Sequence, residues 1–141
     1  MIVLDNEAQR TIVQDAVDTF PDECCGFLYG HEDSSGRRYI TEAHVVKNVK
    51  DGDKRRRFEI APHDYLEAEQ YAEAHQLELL GVYHSHPNHP AIPSEHDRAA
   101  AQPFFSYVII SVNDKEPGPI RSWRLNDDWQ FEEENNHLLA Q

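Results

Sequence analysis

The sequence predicts an α/β fold, with a single-domain mixed β-sheet flanked by helices. The chain has 141 residues, which is the length of one domain, because domains typically span about 100–200 residues. Amphipathic helical patterns alternate along it with short apolar runs that are typical of buried strands. This order of helix, strands, helix, strand, helix and strands predicts a mixed sheet with helices packed against it.

The N-terminal part of the chain predicts a helix followed by a hairpin. Residues 5–20 begin with polar capping types and carry apolar side chains at helical spacing, namely Ile12, Val13, Ala16, Val17 and Phe20. Strands are predicted at 26–30 and 38–49, and the segment 31–36 between them is rich in turn-forming residues. The two strands are therefore expected to pair with each other.

The middle of the chain predicts a short strand, a helix and a buried strand. The short strand is expected at 56–60. Pro62 suits the first turn of a helix, and this helix is expected to run to about Gln76. The apolar run at 77–86 predicts a buried strand that ends in two histidines.

The C-terminal third predicts one more helix and three strands. Residues 88–93 show no periodicity and predict a loop before a short helix at 94–102. Residues 106–112 give the clearest strand pattern in the chain.

The last two strands are expected at 120–125 and 128–134, with Asn126 and Asp127 as the turn between them. One domain is therefore predicted over residues 1–134. Residues 135–141 are predicted to form a flexible C-terminal tail.

Composition and charge exclude several classes of protein. A formal net charge of −13 and a pI near 4.9 disfavour nucleic-acid binding, which needs basic surface to displace counterions from phosphates. No segment resembles a signal peptide or reaches the roughly 20 apolar residues of a membrane span. The adjacent Cys24 and Cys25 are poorly placed for an unstrained disulfide. We therefore expect a cytoplasmic protein that binds neither nucleic acid nor membrane.

The segment 84–97, HSHPNHPAIPSEHD, concentrates chemistry that the rest of the chain lacks. His84 and His86 stand two apart in a predicted strand and so project from the same face, and neutral imidazoles are natural zinc ligands. The proline-rich loop returns the chain to a helix whose first turn carries Asp97, the candidate third ligand. Two nitrogens and one oxygen leave a fourth tetrahedral position open for water, as catalytic zinc sites do.

A zinc site with an open position for water is suited to hydrolysis. A hydrolase also needs a group that takes a proton from water and returns it to the leaving amine. Glu23 is the candidate, because it directly precedes a predicted strand and could project into a cleft. Its spacing alone does not distinguish it from the many other carboxylates of the chain.

These segments together resemble a known family. H84-S85-H86-P87, followed after five residues by P93-S94-x-x-D97, resembles the metal motif of the JAMM, or MPN+, zinc metalloproteases. E23-C24-C25-G26 before a strand is similar to the upstream glutamate segment of that family. The order of elements agrees with the family from about residue 2 to residue 134.

The resemblance implies a JAB1/MPN-like (cytidine-deaminase-like) fold and a Zn²⁺ cofactor. It implies His84, His86 and Asp97 as the metal ligands, Glu23 as the general acid/base, and Ser94 as the residue that hydrogen-bonds the oxyanion. It further implies a peptidase or isopeptidase, either monomer or homodimer. The short bacterial type, which the chain resembles in length, acts after the C-terminal Gly-Gly of ubiquitin-like or sulfur-carrier proteins.

Two features depart from the family pattern. The region after Pro103 is compact and lacks the long second insertion that eukaryotic deubiquitinases use to hold ubiquitin, which disfavours polyubiquitin as a substrate. His89 and His96 match no ligand position, and we expect them to be ordinary surface or core histidines.

Simpler interpretations exist for each signal. Ser94 and Asp97 fit a helix-capping pattern, and Ser94 could both cap the helix and bind an oxyanion. Cys24 and Cys25 could be thiolate ligands, although cysteine as a small buried apolar residue is the commoner case. The basic run 54–57 fits a solvated loop that could contact a partner.

Three other functions compete with the peptidase. The first is a catalytically silent MPN-type module that binds a partner protein, which a complete ligand set disfavours. The second is a metallo-β-lactamase-like enzyme, whose H-x-H-x-D-H motif is broken here by Asn88. The third is an amidohydrolase barrel, which needs roughly 250 residues.

Overall fold

The computed structural model describes residues 1–139 of the chain. These residues form eight strands and three α-helices. The strands are β1 (Ile2–Leu4), β2 (Cys25–Glu32), β3 (Arg38–Val46), β4 (Glu78–Pro87), β5 (Ser106–Asn113), β6 (Glu116–Leu125), β7 (Phe131–Glu134) and β8 (Asn136–Leu138). The helices are α1 (Asn6–Thr19), α2 (Pro62–Ala74) and α3 (Glu95–Ala100).

The strands form one mixed sheet in the order β7-β6-β5-β4-β2-β3-β1-β8. β4 lies at its centre, antiparallel to β2 and parallel to β5. One apolar cluster joins a face of the sheet to α1 through Ala8, Ile12 and Ala16. A second cluster contains Ala68 and Ala72 of α2. The sheet is therefore covered by a helix on each face, and the predicted fold class is confirmed.

Most of the predicted elements form, for the reasons the sequence suggests. Asp5 caps α1, where its Oδ1 accepts the Ala8 N–H at 2.9 Å, and side-chain capping of this kind typically contributes about 1 kcal/mol. β2 and β3 pair antiparallel as the expected hairpin. Pro62 occupies the first turn of α2, and the two histidines of the apolar run lie near the end of β4.

The prediction of a strand at 56–60 is wrong. The backbone of this segment is held mainly by one side chain, because Asn48 donates to the Arg57 carbonyl at 3.2 Å and accepts the Glu59 N–H at 3.1 Å. The Val49 N–H also donates to the Glu59 carbonyl at 2.9 Å. A single amide therefore satisfies backbone groups that a β-ladder would otherwise pair.

The ends of the sheet also differ from the prediction. β1 was not predicted, and it pairs in parallel with both β3 and β8. Residues 136–138, which were predicted as part of the flexible tail, form β8, and residues 140 and 141 of that predicted tail lie outside the described residues. β7 begins at Phe131, because Asn126 organises a longer turn in which its Oδ1 accepts the N–H groups of Asp128 and Gln130.

None of the helices formed by residues 1–139 combines the length and the apolar composition that crossing a membrane requires.

Candidate metal centre

The two histidines of β4 project towards the α2 side of the sheet. His84 is 1% exposed and His86 is 7% exposed. The imidazole of His84 stacks on Phe58, with ring centroids 4.5 Å apart and an interplanar angle of 26°. Phe58 belongs to segment 56–60, which was predicted as a strand but is a loop. This loop therefore packs against His84, the first candidate ligand.

Asp97 reaches the histidines from the first turn of α3. Ser94 is the N-cap of this helix, and its Oγ accepts the Asp97 N–H at 3.0 Å. In return, the Asp97 Oδ2 accepts the Ser94 N–H at 2.9 Å. The same Oδ2 lies 3.2 Å from the His84 Nε2 and 3.1 Å from the His86 Nε2. The capping interpretation and the ligand interpretation are therefore compatible, because the Oδ2 atom that accepts the Ser94 N–H also faces both imidazoles.

The three candidate ligand atoms fit a tetrahedral metal. The Nε2 atoms of His84 and His86 are 3.1 Å apart, so the two nitrogens and the Asp97 Oδ2 form a nearly equilateral triangle. Zinc bonds of about 2.0–2.1 Å in tetrahedral geometry space the ligand atoms roughly 3.3 Å apart. Among residues 1–139, these three are the histidine, cysteine or acidic side chains whose ligand atoms lie close enough together to hold one metal ion.

The tautomer of His86 is fixed in the form that a metal requires. Its Nδ1 lies 2.8 Å from the Pro90 carbonyl oxygen. Because a carbonyl only accepts, the proton of the neutral ring must sit on Nδ1, which leaves the Nε2 lone pair facing the cluster. A backbone carbonyl that orients a ligating histidine in this way is typical of metal sites.

The charges of the cluster also favour cation binding. Burial lowers the pKa of His84 and so keeps its imidazole neutral. Burial of Asp97 disfavours its charged form, but the His84 imidazole and the Ser94 N–H outweigh that effect and hold the pKa of this carboxyl well below its usual range. Two imidazole nitrogens and one carboxylate form a donor set that zinc commonly uses.

Glu23 is a buried carboxyl beside this cluster. It is 3% exposed, and its Oε1 has no hydrogen-bond partner within residues 1–139. Burial first, and then repulsion by Asp97 and Asp53, raises its pKa from 4.5 to about 9. Glu23 shares a cavity of about 290 Å³ with His86 and Ser94. An unpartnered carboxyl at such a position suits a group that exchanges a proton with a substrate.

The backbone around Glu23 is held from two sides. Its N–H donates to the Lys54 carbonyl at 2.7 Å, and its carbonyl accepts from the Asn48 Nδ2 at 3.1 Å. The next residue, Cys24, donates its N–H to the Ser85 Oγ at 2.8 Å. Ser85 thus ties Glu23 to the strand that carries both histidines.

Sequence reasoning missed the roles of Asn48 and Ser85. Ser85 lies between the two histidines and points to the opposite face of β4, where it is fully buried. A polar residue on the buried face of an otherwise apolar strand was the available signal, because such a group must find a partner. Asn48 offered no comparable signal, since asparagine is common in loops.

The remaining candidates lie outside the cluster. Cys24 packs in the apolar cluster on the α1 side and Cys25 in the one on the α2 side. Burial raises the pKa of both thiols, that of Cys25 to about 12, so the apolar interpretation of the cysteines holds. His89 and His96 line cavities near the cluster but do not belong to it.

Comparisons with known proteins agree with this fold. The family described as prokaryotic homologs of the JAB domain matches residues 5–126. The chain is 36% identical over 92 residues to a desampylase from Haloferax volcanii, and the match covers 64% of this chain and 63% of that one. It is 28% identical over 138 residues to a CysO-cysteine peptidase from Mycobacterium tuberculosis, covering 96% and 90% of the two chains.

A solved structure is similar to the whole of this chain. A protein from Desulfitobacterium hafniense has a TM-score of 0.85 and 29% sequence identity to this chain, and the match covers 100% of this chain and 94% of that one. Because the matching family spans most of the chain, the resemblance inferred from the histidine and glutamate motifs is confirmed, and the chain belongs to the family of prokaryotic homologs of the JAB domain.

Proposed function

We propose that the protein is a zinc metallopeptidase that hydrolyses the amide or isopeptide bond after the C-terminal Gly-Gly of a ubiquitin-like or sulfur-carrier protein. The observation that carries this proposal is the triangle of ligand atoms from His84, His86 and Asp97, whose sides are 3.1–3.2 Å, next to the buried carboxyl of Glu23. The relatives named desampylase and CysO-cysteine peptidase support it.

The metal would be held by the two Nε2 atoms and the Asp97 carboxylate. When bound, zinc supplies a Lewis acid that polarises a carbonyl and lowers the pKa of water towards about 7. Phe58 and the Pro90 carbonyl orient the two imidazoles. The residues of this chain supply the proton transfers and the stabilisation of the developing charge.

Glu23 is the proposed general acid/base. Its carboxylate takes the proton of the attacking water and then delivers it to the amine that leaves. A cation bound nearby would favour the charged form of Glu23, as the first step requires. Burial, which raises the pKa of Glu23 in the metal-free protein, helps the carboxyl to hold the proton for the second step. The Oε1 atom of Glu23 has no hydrogen-bond partner within residues 1–139, so its capacity for a hydrogen bond is left for a water molecule or a substrate that enters the cavity.

Ser94 is the proposed hydrogen-bond donor to the oxyanion. Its Oγ already accepts the Asp97 N–H, so its own hydroxyl proton remains available for a second partner. Ser94 is exposed and lines the same cavity as Glu23 and His86. A preorganised donor of this kind typically contributes a factor of about 10² to 10³ in rate.

The size of the cavity supports a glycine tail as the substrate. At about 290 Å³, it is at the lower end of ordinary ligand pockets, which span roughly 300–1,000 Å³. Glycine allows the closest approach of a substrate backbone, because it carries no Cβ.

The choice of tail tests this proposal. A carrier protein that ends in Gly-Gly followed by a short extension is expected to be cut after the second glycine. The same protein with Ala-Ala at these positions is expected to be cut about ten- to 100-fold more slowly. An added methyl group overpacks a narrow cleft, and overpacking typically costs about 1–3 kcal/mol. Intact-mass spectrometry over a time course measures both rates. Equal cleavage of the two tails would contradict the proposed specificity.

A further inference from the structure

An acidic chain concentrates its positive charge beside the candidate metal centre. The chain has a net charge of −13 and 13 lysine and arginine residues. Five of these 13 fall within residues 50–57, KDGDKRRR, as Lys50 and the run from Lys54 to Arg57. The segment also contains Asp51 and Asp53, so its net charge is +3 in a chain whose net charge is −13. This local excess of positive charge favours an anionic partner.

The basic segment is fixed to the backbone of Glu23. The Lys54 carbonyl accepts the Glu23 N–H, and the Asn48 amide donates to both the Glu23 carbonyl and the Arg57 carbonyl. These bonds join the two ends of the basic run to one residue of the site. The arginines between them therefore have a defined position relative to the proposed general acid/base.

Arg56 lies where two cavities meet. One is the cavity of about 290 Å³ that Glu23, His86 and Ser94 line. The other measures about 540 Å³ and is lined by Lys50, Arg56, Arg57 and Ser94 together with three acidic residues and a histidine. Arg56 and Ser94 line both cavities, whereas Arg55 lines neither of them.

None of the three acidic residues that line the larger cavity forms an ion pair with Arg56. Glu95 pairs with Arg98, and the Asp53 Oδ1 accepts the Arg55 N–H at 3.0 Å. Asp51 is the third acidic residue of the lining. Within residues 1–139, neither Arg56 nor Arg57 forms an ion pair with a carboxylate. An exposed guanidinium without a protein partner presents a planar fork that matches a carboxylate.

We propose that Arg56, with Lys50 and Arg57 beside it, binds a carboxylate on the group that leaves after the Gly-Gly tail. This inference rests on the proposed function and narrows its substrate class to adducts whose residue after the second glycine carries a carboxylate close to the scissile bond. The carboxylate can be the free α-carboxylate of a single attached amino acid or the acidic side chain of a longer leaving group.

Binding to an inactive protein tests this preference separately from turnover. The zinc-loaded Glu23→Gln variant is titrated with three fluorescently labelled peptides that share a Gly-Gly segment. The first ends in Gly-Gly-Ala with a free carboxylate, the second is its C-terminal amide, and the third ends in Gly-Gly-Glu-amide. The free acid probes the α-carboxylate, and the glutamyl amide probes the side-chain carboxylate.

We expect at least one of the two carboxylate peptides to bind about tenfold more tightly than the alanyl amide, because the amide cannot form the charge-assisted hydrogen bond with Arg56. Adding Arg56→Gln should bring the affinities together. Adding Arg55→Gln should leave the difference in place, because Arg55 carries the same charge in the same run but lines neither cavity. Both side chains are exposed, so both variants are expected to fold, and circular dichroism checks this.

The pattern across the peptides identifies which carboxylate is bound. Preference for the free acid alone assigns the site to a single-residue leaving group, and preference for the glutamyl amide alone assigns it to an acidic side chain. Equal affinity for all three peptides, including no detectable binding of any, overturns the proposal. Loss of the preference to the same extent in Arg55→Gln also overturns it, because the effect would then come from the total charge of the loop.

Discussion

The Glu23→Gln variant is expected to lower kcat by a factor of about 10² to 10⁴, which is the usual contribution of a positioned general acid/base. Glutamine has nearly the same shape as glutamate but cannot take up a proton from water. Because Glu23 is not one of the three proposed metal ligands, the variant should still bind one equivalent of zinc. Steady-state kinetics and metal analysis of the same preparation measure both quantities.

The Glu59→Gln variant is the matched control, since Glu59 is an exposed carboxylate on the loop that packs against His84. It should keep kcat close to that of the unaltered protein. If Glu23→Gln retained normal turnover, Glu23 would not be the acid/base. If turnover and zinc were lost together, Glu23 would instead support the metal site.

The metal-free protein offers a second measure of the environment of Glu23. Its pKa rises from 4.5 to about 9 on folding, so the carboxyl must take up a proton when the chain folds at neutral pH. The contribution of this residue to stability is therefore fully present below about pH 4.5 and is lost as the pH rises towards 9. The free energy of unfolding of metal-free Glu23→Gln should fall less over this range than that of the metal-free unaltered protein, as urea titrations at several pH values would show.

Removal of one of the three proposed metal ligands is the second change that we expect to have a large effect. The Asp97→Asn and His86→Ala variants should each lose zinc affinity by more than the roughly 10- to 100-fold that follows loss of an outer-shell partner, and turnover should fall with it. Competition with a chromophoric chelator measures the affinity.

Asp97→Asn is the more informative of the two variants. The asparagine carbonyl can still accept the Ser94 N–H, so α3 keeps its cap while the charged ligand is lost. The His89→Ala variant is the control, because His89 lies on the loop between β4 and α3 but outside the cluster. This variant should bind zinc normally. Tight zinc binding by Asp97→Asn would show that Asp97 caps the helix without holding the metal.

The sequence predicted the candidate site better than it predicted the edges of the sheet. Strand alternation was enough to place His84 and His86 on one face, and a capping pattern was enough to bring Asp97 to the start of a helix. In contrast, β1 and β8 have three residues each, which is too short to show a periodicity. Their formation depends on pairing with distant strands.

The loop at 48–59 shows a different limit of sequence reasoning. Its β-branched and aromatic residues do not decide its structure, because one asparagine side chain replaces the ladder that they would have formed. The position of Glu23 depends on this loop and on Ser85. The contacts of Asn48 with Glu23 and of Ser85 with Cys24 join residues that are far apart in sequence. The spacing of these residues in the sequence therefore gave no indication of the contacts.

Cleavage of a Gly-Gly-extended carrier protein with and without a zinc chelator tests the central claim most directly. We expect intact-mass spectrometry to show cleavage after the second glycine. Chelation should abolish this cleavage, and added zinc should restore it for the unaltered protein but not for Glu23→Gln. Cleavage that continues unchanged in the fully zinc-depleted protein would contradict the claim that His84, His86 and Asp97 form the metal centre of a peptidase.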